Sequence, residues 1–415
     1  MKFQQRKFKA NQVALQPKIL FSSKLKNKLM FSKNIRFQNF GNNKINKDLK
    51  TIYKNLISKK NDNNDLTSSF TKSYSYSFNK DLLKKYKKYN TYQIYGMGGS
   101  SLGIKAIYEF LKSKVKKKFY FFDNLDVNNN FKKTKLKNLN IIISKSGNTL
   151  ETIVNENIFS KGKKLFITEN RNNYLRNLAF KLKSEIIEHK NFIGGRYSVL
   201  SEVGMLPAEL MGLKSSNFKQ FDRLILNKNF TKSLLNNVST LYTLIKRKKT
   251  NSIILNYDES SHGIFSWYQQ LVAESLGKSS KGVLPIISEM PRDNHSLMQL
   301  YLDGNKNSFY TFFDVNELKS KKINSKKIFG RFNYLKKHSL QSIKSAQKQA
   351  AKNIFKTKKI PFRSFEIFEK NEKTLGEIFT FVMLETILLG RLMKLDPFDQ
   401  PAVELIKDET KKLLA

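Results

Sequence analysis

Short apolar runs and helical apolar stripes alternate along most of this chain. Residues 92–95, 119–122, 140–143 and 164–168 are brief apolar runs that predict buried strands. Between them the period changes: Ile104, Ile107, Tyr108 and Leu111 fall on one face of a helix, and another helix is expected from Leu150. Such alternation predicts a parallel sheet covered on both faces, because each parallel crossover uses a helix to return the chain. Residues 214–220 are polar and read as a linker. Strands at 252–257, 308–313 and 362–368 then alternate with the helix containing Glu274 and with helices at 339–355 and 374–395. The economical fold class is α/β, as two consecutive sandwiches with parallel sheets. Pro397 closes the last long helix, since proline cannot continue the hydrogen-bond ladder, and residues 400–414 predict a terminal amphipathic helix.

Residues 1–75 lack this rhythm. They are rich in Lys and Asn, with low-complexity patches such as 59–65, and read as a helical or irregular arm without a core of its own. The expected organisation is an N-terminal arm over 1–75, a first α/β domain over 76–213, a second over 225–395, and a C-terminal helix over 396–415.

Composition changes this picture little. A chain of 415 residues is long enough for two or three domains. There is no cysteine, which removes disulfides and thiolate metal sites and permits a reducing cytoplasm. The net charge of +44 points, taken literally, to nucleic acid or an anionic membrane. The excess is mostly lysine, however, spread from Lys2 to Lys412 among many Asn, Ile and Phe, which is the mark of compositional drift; a nucleic-acid surface concentrates arginine and aromatics. The first residues, Met1 to Lys7, run into mixed polar sequence, so secretion is not expected. The most apolar window, 375–392, is interrupted by Glu377, Glu385 and Arg391 and reads as a buried helix rather than a membrane span. A cytoplasmic location is expected.

Four segments carry candidate chemistry. Gly96-Met97-Gly98-Gly99-Ser100 joins a strand to a helix but lacks the third glycine of a dinucleotide fingerprint, so it is either a packing turn or a backbone approach to a ligand. Ser144-Lys145-Ser146-Gly147-Asn148-Thr149 places three hydroxyls and successive N–H groups before a helix, where the helix dipole favours an anion such as a phosphate monoester; an ordinary N-cap is the alternative. Gly194-Gly195-Arg196 sets an arginine on a tight turn. Glu274 lies among Leu271, Val272, Ala273 and Leu276, where burial would raise its pKa toward that of a useful base, or a partner would hold it ionised. His189, His262, His295 and His338 show no metal-binding spacing.

Taken in order, these segments resemble the glucose-6-phosphate isomerase family. The resemblance covers roughly residues 92–410 and includes Gly194-Gly195-Arg196-Tyr197-Ser198, Gln270 with Glu274-Ser275-Leu276-Gly277-Lys278, Asn294-His295-Ser296, and Pro397 through Lys407. It implies two sugar-isomerase (SIS-type) domains and interconversion of two phosphorylated hexoses without metal or cofactor. By similarity, Ser144, the Lys145 backbone, Ser146 and Thr149 hold the phosphate, and Gly99 and Ser100 contact the sugar. Gln270 positions substrate, Glu274 moves the proton between C2 and C1, and Arg196 stabilises the enediolate. His295 and Lys407 open and close the ring. The family implies a homodimer in which the histidine comes from the partner subunit. Ser146 and Asn148 stand where the family more often has threonine, a departure that bears on phosphate affinity. Ser-Lys-Ser-Gly-Asn-Thr is also similar to bifunctional phosphoglucose/phosphomannose isomerases, which lack the Gly-Gly-Arg-Tyr-Ser block. From another class, a sugar-phosphate sensor with a basic nucleic-acid surface would bind without turnover.

Overall fold

Among the described residues, buried β-branched and aromatic runs build two five-stranded sheets. The computed structural model describes residues 31–41, 45–128, 138–317 and 319–415. In chain order the strands are β1 (Ile35–Gln38), β2 (Thr91–Tyr95), β3 (Lys118–Phe122), β4 (Asn138–Ile143), β5 (Lys163–Thr168), β6 (Glu185–Glu188), β7 (Asn251–Asn256), β8 (Leu284–Glu289), β9 (Ser308–Val315) and β10 (Phe362–Ile367). One sheet has the order β3-β2-β4-β5-β6 and is parallel throughout. The other has the order β1-β10-β9-β7-β8 and is parallel except for β1, which runs antiparallel to β10.

Strand order positions the site. In the first sheet β3 and β4 flank β2 on opposite sides, so the connections leaving β2 and β4 diverge and open a crevice at their carboxyl ends. The turns at that crevice are the Gly96–Ser100 turn and the Ser144–Thr149 loop. The helix His262–Leu276, which follows β7 of the second sheet, packs on the helix Leu102–Phe110 of the first and so reaches this crevice.

The helix Glu372–Leu392 is buried along nearly its whole length, as apolar residues on every face require. Its two interior carboxylates are paired: Glu385 receives Arg363 and Asn237, and Glu377 receives Arg223 and Ser32. No described helix is long and apolar enough to cross a membrane.

The structure sharpens one expectation and corrects another. The segment expected to be an arm without a core of its own packs, over residues 31–41 and 45–75, into the common core: β1 closes the edge of the second sheet, and Phe31, Leu49, Leu56, Leu66 and Phe70 are buried in the main cluster. Phe31 packs edge-on against Phe230 and Phe381, so the segment is held by apolar contact despite its Lys/Asn-rich surroundings. Residues 1–30 lie outside the described residues. Residues 214–220 are not a solvated linker. Ser215–Phe218 is a short helix against the long buried one, with Phe218 fully buried and the buried Lys219 ammonium donating to the Ser69 and Leu200 carbonyls.

Candidate active site

The anion loop is built by hydroxyls that bond one another. Ser144 Oγ lies 2.8 Å from Thr149 Oγ1 and accepts the Gly147 N–H at 3.1 Å, and Ser146 Oγ accepts the Asn148 N–H at 3.3 Å. Thr149 is the N-cap residue of the helix Leu150–Phe159, yet its side chain makes no capping bond; Asn148 Oδ1 instead accepts the N–H of Tyr174. The first N–H groups of that helix are therefore not served by either candidate cap, which favours the anion over the plain N-cap. Gly147 has φ +68° and presses on Asn173, whose Oδ1 would lie 1.8 Å from an added Cβ, so the loop can close only with glycine here. The Lys145 ammonium donates to the Asn191 carbonyl at 2.7 Å, and burial lowers its pKa against the opposing pull of Glu169.

Beside this loop the turn carrying Gly99 and Ser100 touches the turn carrying Arg196. A Cβ on Gly99 would lie 2.2 Å from the carbonyl carbon and oxygen of Gly195. Gly99→Ala is accordingly expected to push these turns apart, destabilising the fold by about 1–3 kcal/mol and lowering catalytic efficiency. Urea denaturation with steady-state kinetics checks both; an unchanged enzyme would mean that the contact yields without consequence.

Arg196, on its tight turn, is buried. Its Nε donates to Ser275 Oγ at 2.9 Å and its Nη2 to the carbonyls of Pro397 (2.7 Å) and Asp399 (2.9 Å). Its Nη1 reaches Gln400 Oε1 at 2.5 Å and Glu274 Oε2 at 3.2 Å. Trp267 Nε1 and Tyr197 OH fix the surroundings, the first on the Arg196 carbonyl and the second on Ser275 Oγ and the Pro397 carbonyl. Burial pushes the Tyr197 hydroxyl up to about 12, so it stays protonated as a donor.

Glu274 is about a quarter exposed (26 %) and held on both oxygens, one by Arg196 and the other by Gln270 Nε2 at 3.0 Å. The apolar neighbours Leu271, Val272 and Leu276 are buried, which leaves Glu274 at the cavity rather than in a dry pocket. Of the two environments the sequence left open, the structure has the paired one. Because a carboxylate only accepts, the Gln270 amide must present its NH2 to Glu274. Its Oε1 is left buried without a partner, an acceptor suited to a sugar hydroxyl.

One cavity of about 430 Å³ brings these pieces together, lined by Gly99, Ser100, Lys145, Ser146, Thr149, Arg196, Gln270, Glu274 and Lys407. Ser144 lies beneath the loop and is buried. Lys407 sits on the exposed helix Ala402–Leu414, its ammonium 2.6 Å from Glu404 Oε1. His295 is the residue the chain does not bring in: it is exposed on the turn Arg292–His295 after β8 and does not line the cavity. Sequence reasoning also passed over Gln400, Glu169 and Arg171, which line the same cavity, and Lys278, whose ammonium holds the Asp399 carbonyl at 2.7 Å. Gln400 and Lys278 stood inside motifs already marked; Glu169 and Arg171 carried no signal.

Fold and site together define a two-sheet α/β protein of the phosphosugar-isomerase kind, with the Ser144–Thr149 loop at a switch point sharing a cavity with a carboxylate and a buried arginine. The model of the phosphoglucose isomerase family matches residues 86–415, and the chain belongs to that family. It is 34% identical over 350 residues to a glucose-6-phosphate isomerase of Methanocaldococcus jannaschii, covering 78% of this chain and 84% of that protein. A glucose-6-phosphate isomerase of Mycoplasmoides gallisepticum is 30% identical over 356 residues, covering 77% and 82%. Among solved structures, a hypothetical protein of Thermus thermophilus superimposes with a TM-score of 0.76 at 23% identity, over 88% of this chain and 94% of that one. A glucose-6-phosphate isomerase of Chlamydia trachomatis superimposes with a TM-score of 0.68 at 19% identity, over 80% and 71%. These two likenesses bear on the fold.

Proposed function

We infer that this chain is an aldose–ketose isomerase that interconverts glucose 6-phosphate and fructose 6-phosphate, a step of glycolysis and gluconeogenesis. The observation that carries the reading is the single cavity in which Glu274, bridged by Arg196 and Gln270, shares space with the Ser144–Thr149 loop. With the phosphate on that loop, the sugar carbon chain would extend toward Glu274. Its carboxylate then takes the proton from C2 and returns it to C1, through a cis-enediol, and one base suffices because both carbons present their protons to the same face. Arg196 holds the charge that develops on the enediolate oxygens, and Gln270 orients a hydroxyl. Lys407 and His295 would serve ring opening and closing. Family membership favours this reading over the bifunctional phosphomannose alternative and over a nucleic-acid-binding sensor.

The exposed position of His295 supports a homodimer in which a second copy brings that histidine to the cavity. A cytoplasmic location fits a glycolytic step. The direct test is glucose 6-phosphate formation from fructose 6-phosphate, followed through a coupled dehydrogenase; no turnover by the purified full-length chain would overturn the reading. The shared site has its own test. Glu274→Gln and His295→Ala, each inactive alone, should regain about a quarter of wild-type activity after co-refolding at equal amounts, because half the dimers are mixed and each has one intact site. If the mixture stays inactive, His295 is not donated between subunits.

A further inference from the structure

We propose that Arg171, held in place by Glu169, is a further phosphate-binding residue of this site; the proposal rests on the sugar-phosphate reading above and refines it. Arg171 lines the same cavity as Ser146 and Thr149. It lies in the turn after β5, the strand next to β4, whose end carries the anion loop. Turn and loop are stapled together by backbone bonds. The Glu169 N–H donates to the Lys145 carbonyl at 3.2 Å, and the Leu175 N–H to the Gly147 carbonyl at 3.1 Å. Arg171 is thus fixed in register with the loop rather than attached to a free segment.

The cations around the cavity differ in what they have left to give. Lys145 is committed to the Asn191 carbonyl and to Glu169, Arg196 to five oxygens, and Lys407 to Glu404. The shortest contact between Arg171 and Glu169 runs from Nε to Oε2, at 2.6 Å, and neither Nη group donates a hydrogen bond among the described residues. A guanidinium paired with a carboxylate on its Nε side keeps its outer edge as a two-pronged donor, the arrangement that takes two oxygens of a phosphate. Glu169 itself is buried, 5% exposed, and shared between Arg171 and Lys145. It acts as a positioning residue: it aims one cation at the loop and draws the other away. A dianionic ester then meets an aimed guanidinium on one side and hydroxyls and N–H groups on the other.

Steady-state kinetics of the full-length chain tests this with Arg171→Ala, Arg171→Lys and Glu169→Gln. Arg171 is well exposed, so its loss should leave the fold intact. The expected result for Arg171→Ala is a KM for fructose 6-phosphate raised about 10- to 100-fold, the worth of a charge-assisted hydrogen-bonded contact, with kcat little changed. The inhibition constant of inorganic phosphate should rise by the same factor. Arg171→Lys should recover only part of the loss, and Arg171→Ala should cost less when added to Glu169→Gln than on its own. Lys181→Ala, at the outer end of the helix Tyr174–Lys181, reports the general effect of removing one surface charge. Unchanged KM and phosphate inhibition in Arg171→Ala, or an equal change in Lys181→Ala, would overturn the proposal. Should the wild type show no turnover, the isomerase reading fails separately, and calorimetric titration of inorganic phosphate into wild type and Arg171→Ala still decides the role of Arg171.

Discussion

Glu274→Gln is expected to lower kcat for fructose 6-phosphate by about 10²–10⁴ while leaving KM nearly unchanged. The amide is isosteric, and its oxygen can still accept from Arg196 or Gln270, which now hold the carboxylate at 3.2 and 3.0 Å. What disappears is the capacity to take a proton. A loss confined to kcat therefore separates a base from a substrate anchor. The measurement is the coupled assay, with exchange of the C2 hydrogen of glucose 6-phosphate against deuterated water as a second readout; full rate or full exchange in the variant would assign the proton transfer to another group.

Arg196→Ala and Arg196→Lys are both expected to lower kcat/KM by about 10²–10³. The guanidinium reaches Ser275, Glu274, Gln400 and two main-chain carbonyls at once, from three nitrogens spread over a plane. Lysine offers three donors on one atom and cannot span those positions, so the charge-conserving change should rescue little. The variants carry a second signature. With the Pro397 and Asp399 carbonyls released, amide protons of the helix Ala402–Leu414 should exchange faster in hydrogen–deuterium measurements, although that helix lies far along the chain. Recovery of most activity by Arg196→Lys would show that charge alone matters.

Much of this architecture is legible in the sequence, and the parts that are not share a cause. The central strands β2, β4, β7 and β9 are almost wholly buried and read as apolar runs. The strands that escaped, β1, β6 and β8, all stand at sheet edges. Glu185-Ile-Ile-Glu has only two apolar residues, Ile-Arg-Phe-Gln hides in polar surroundings, and Leu284-Pro285 begins β8 with a proline that only an edge tolerates well. The same holds for the site. Glu274, Arg196 and the Ser144–Thr149 loop announce themselves in contiguous motifs, and the structure brings them into one cavity. The bond from Gln400 to Arg196 depends on a chain return that spacing cannot report. Glu169 and Arg171 likewise gain meaning only through the adjacency of β4 and β5.

Strand β1 also sets a schedule for synthesis. Arg36 and its ion-pair partner Glu366 are separated by 330 residues. At the usual ribosomal pace of about 5–20 residues per second, β1 leaves the tunnel roughly 15–65 s before the strand it pairs with. Throughout that interval the first sheet can fold from consecutive segments, whereas the second cannot be sealed, and Phe31, Ile35 and Phe37 stay without their final neighbours. The nascent chain must therefore keep β1 in reserve until β10 has been made.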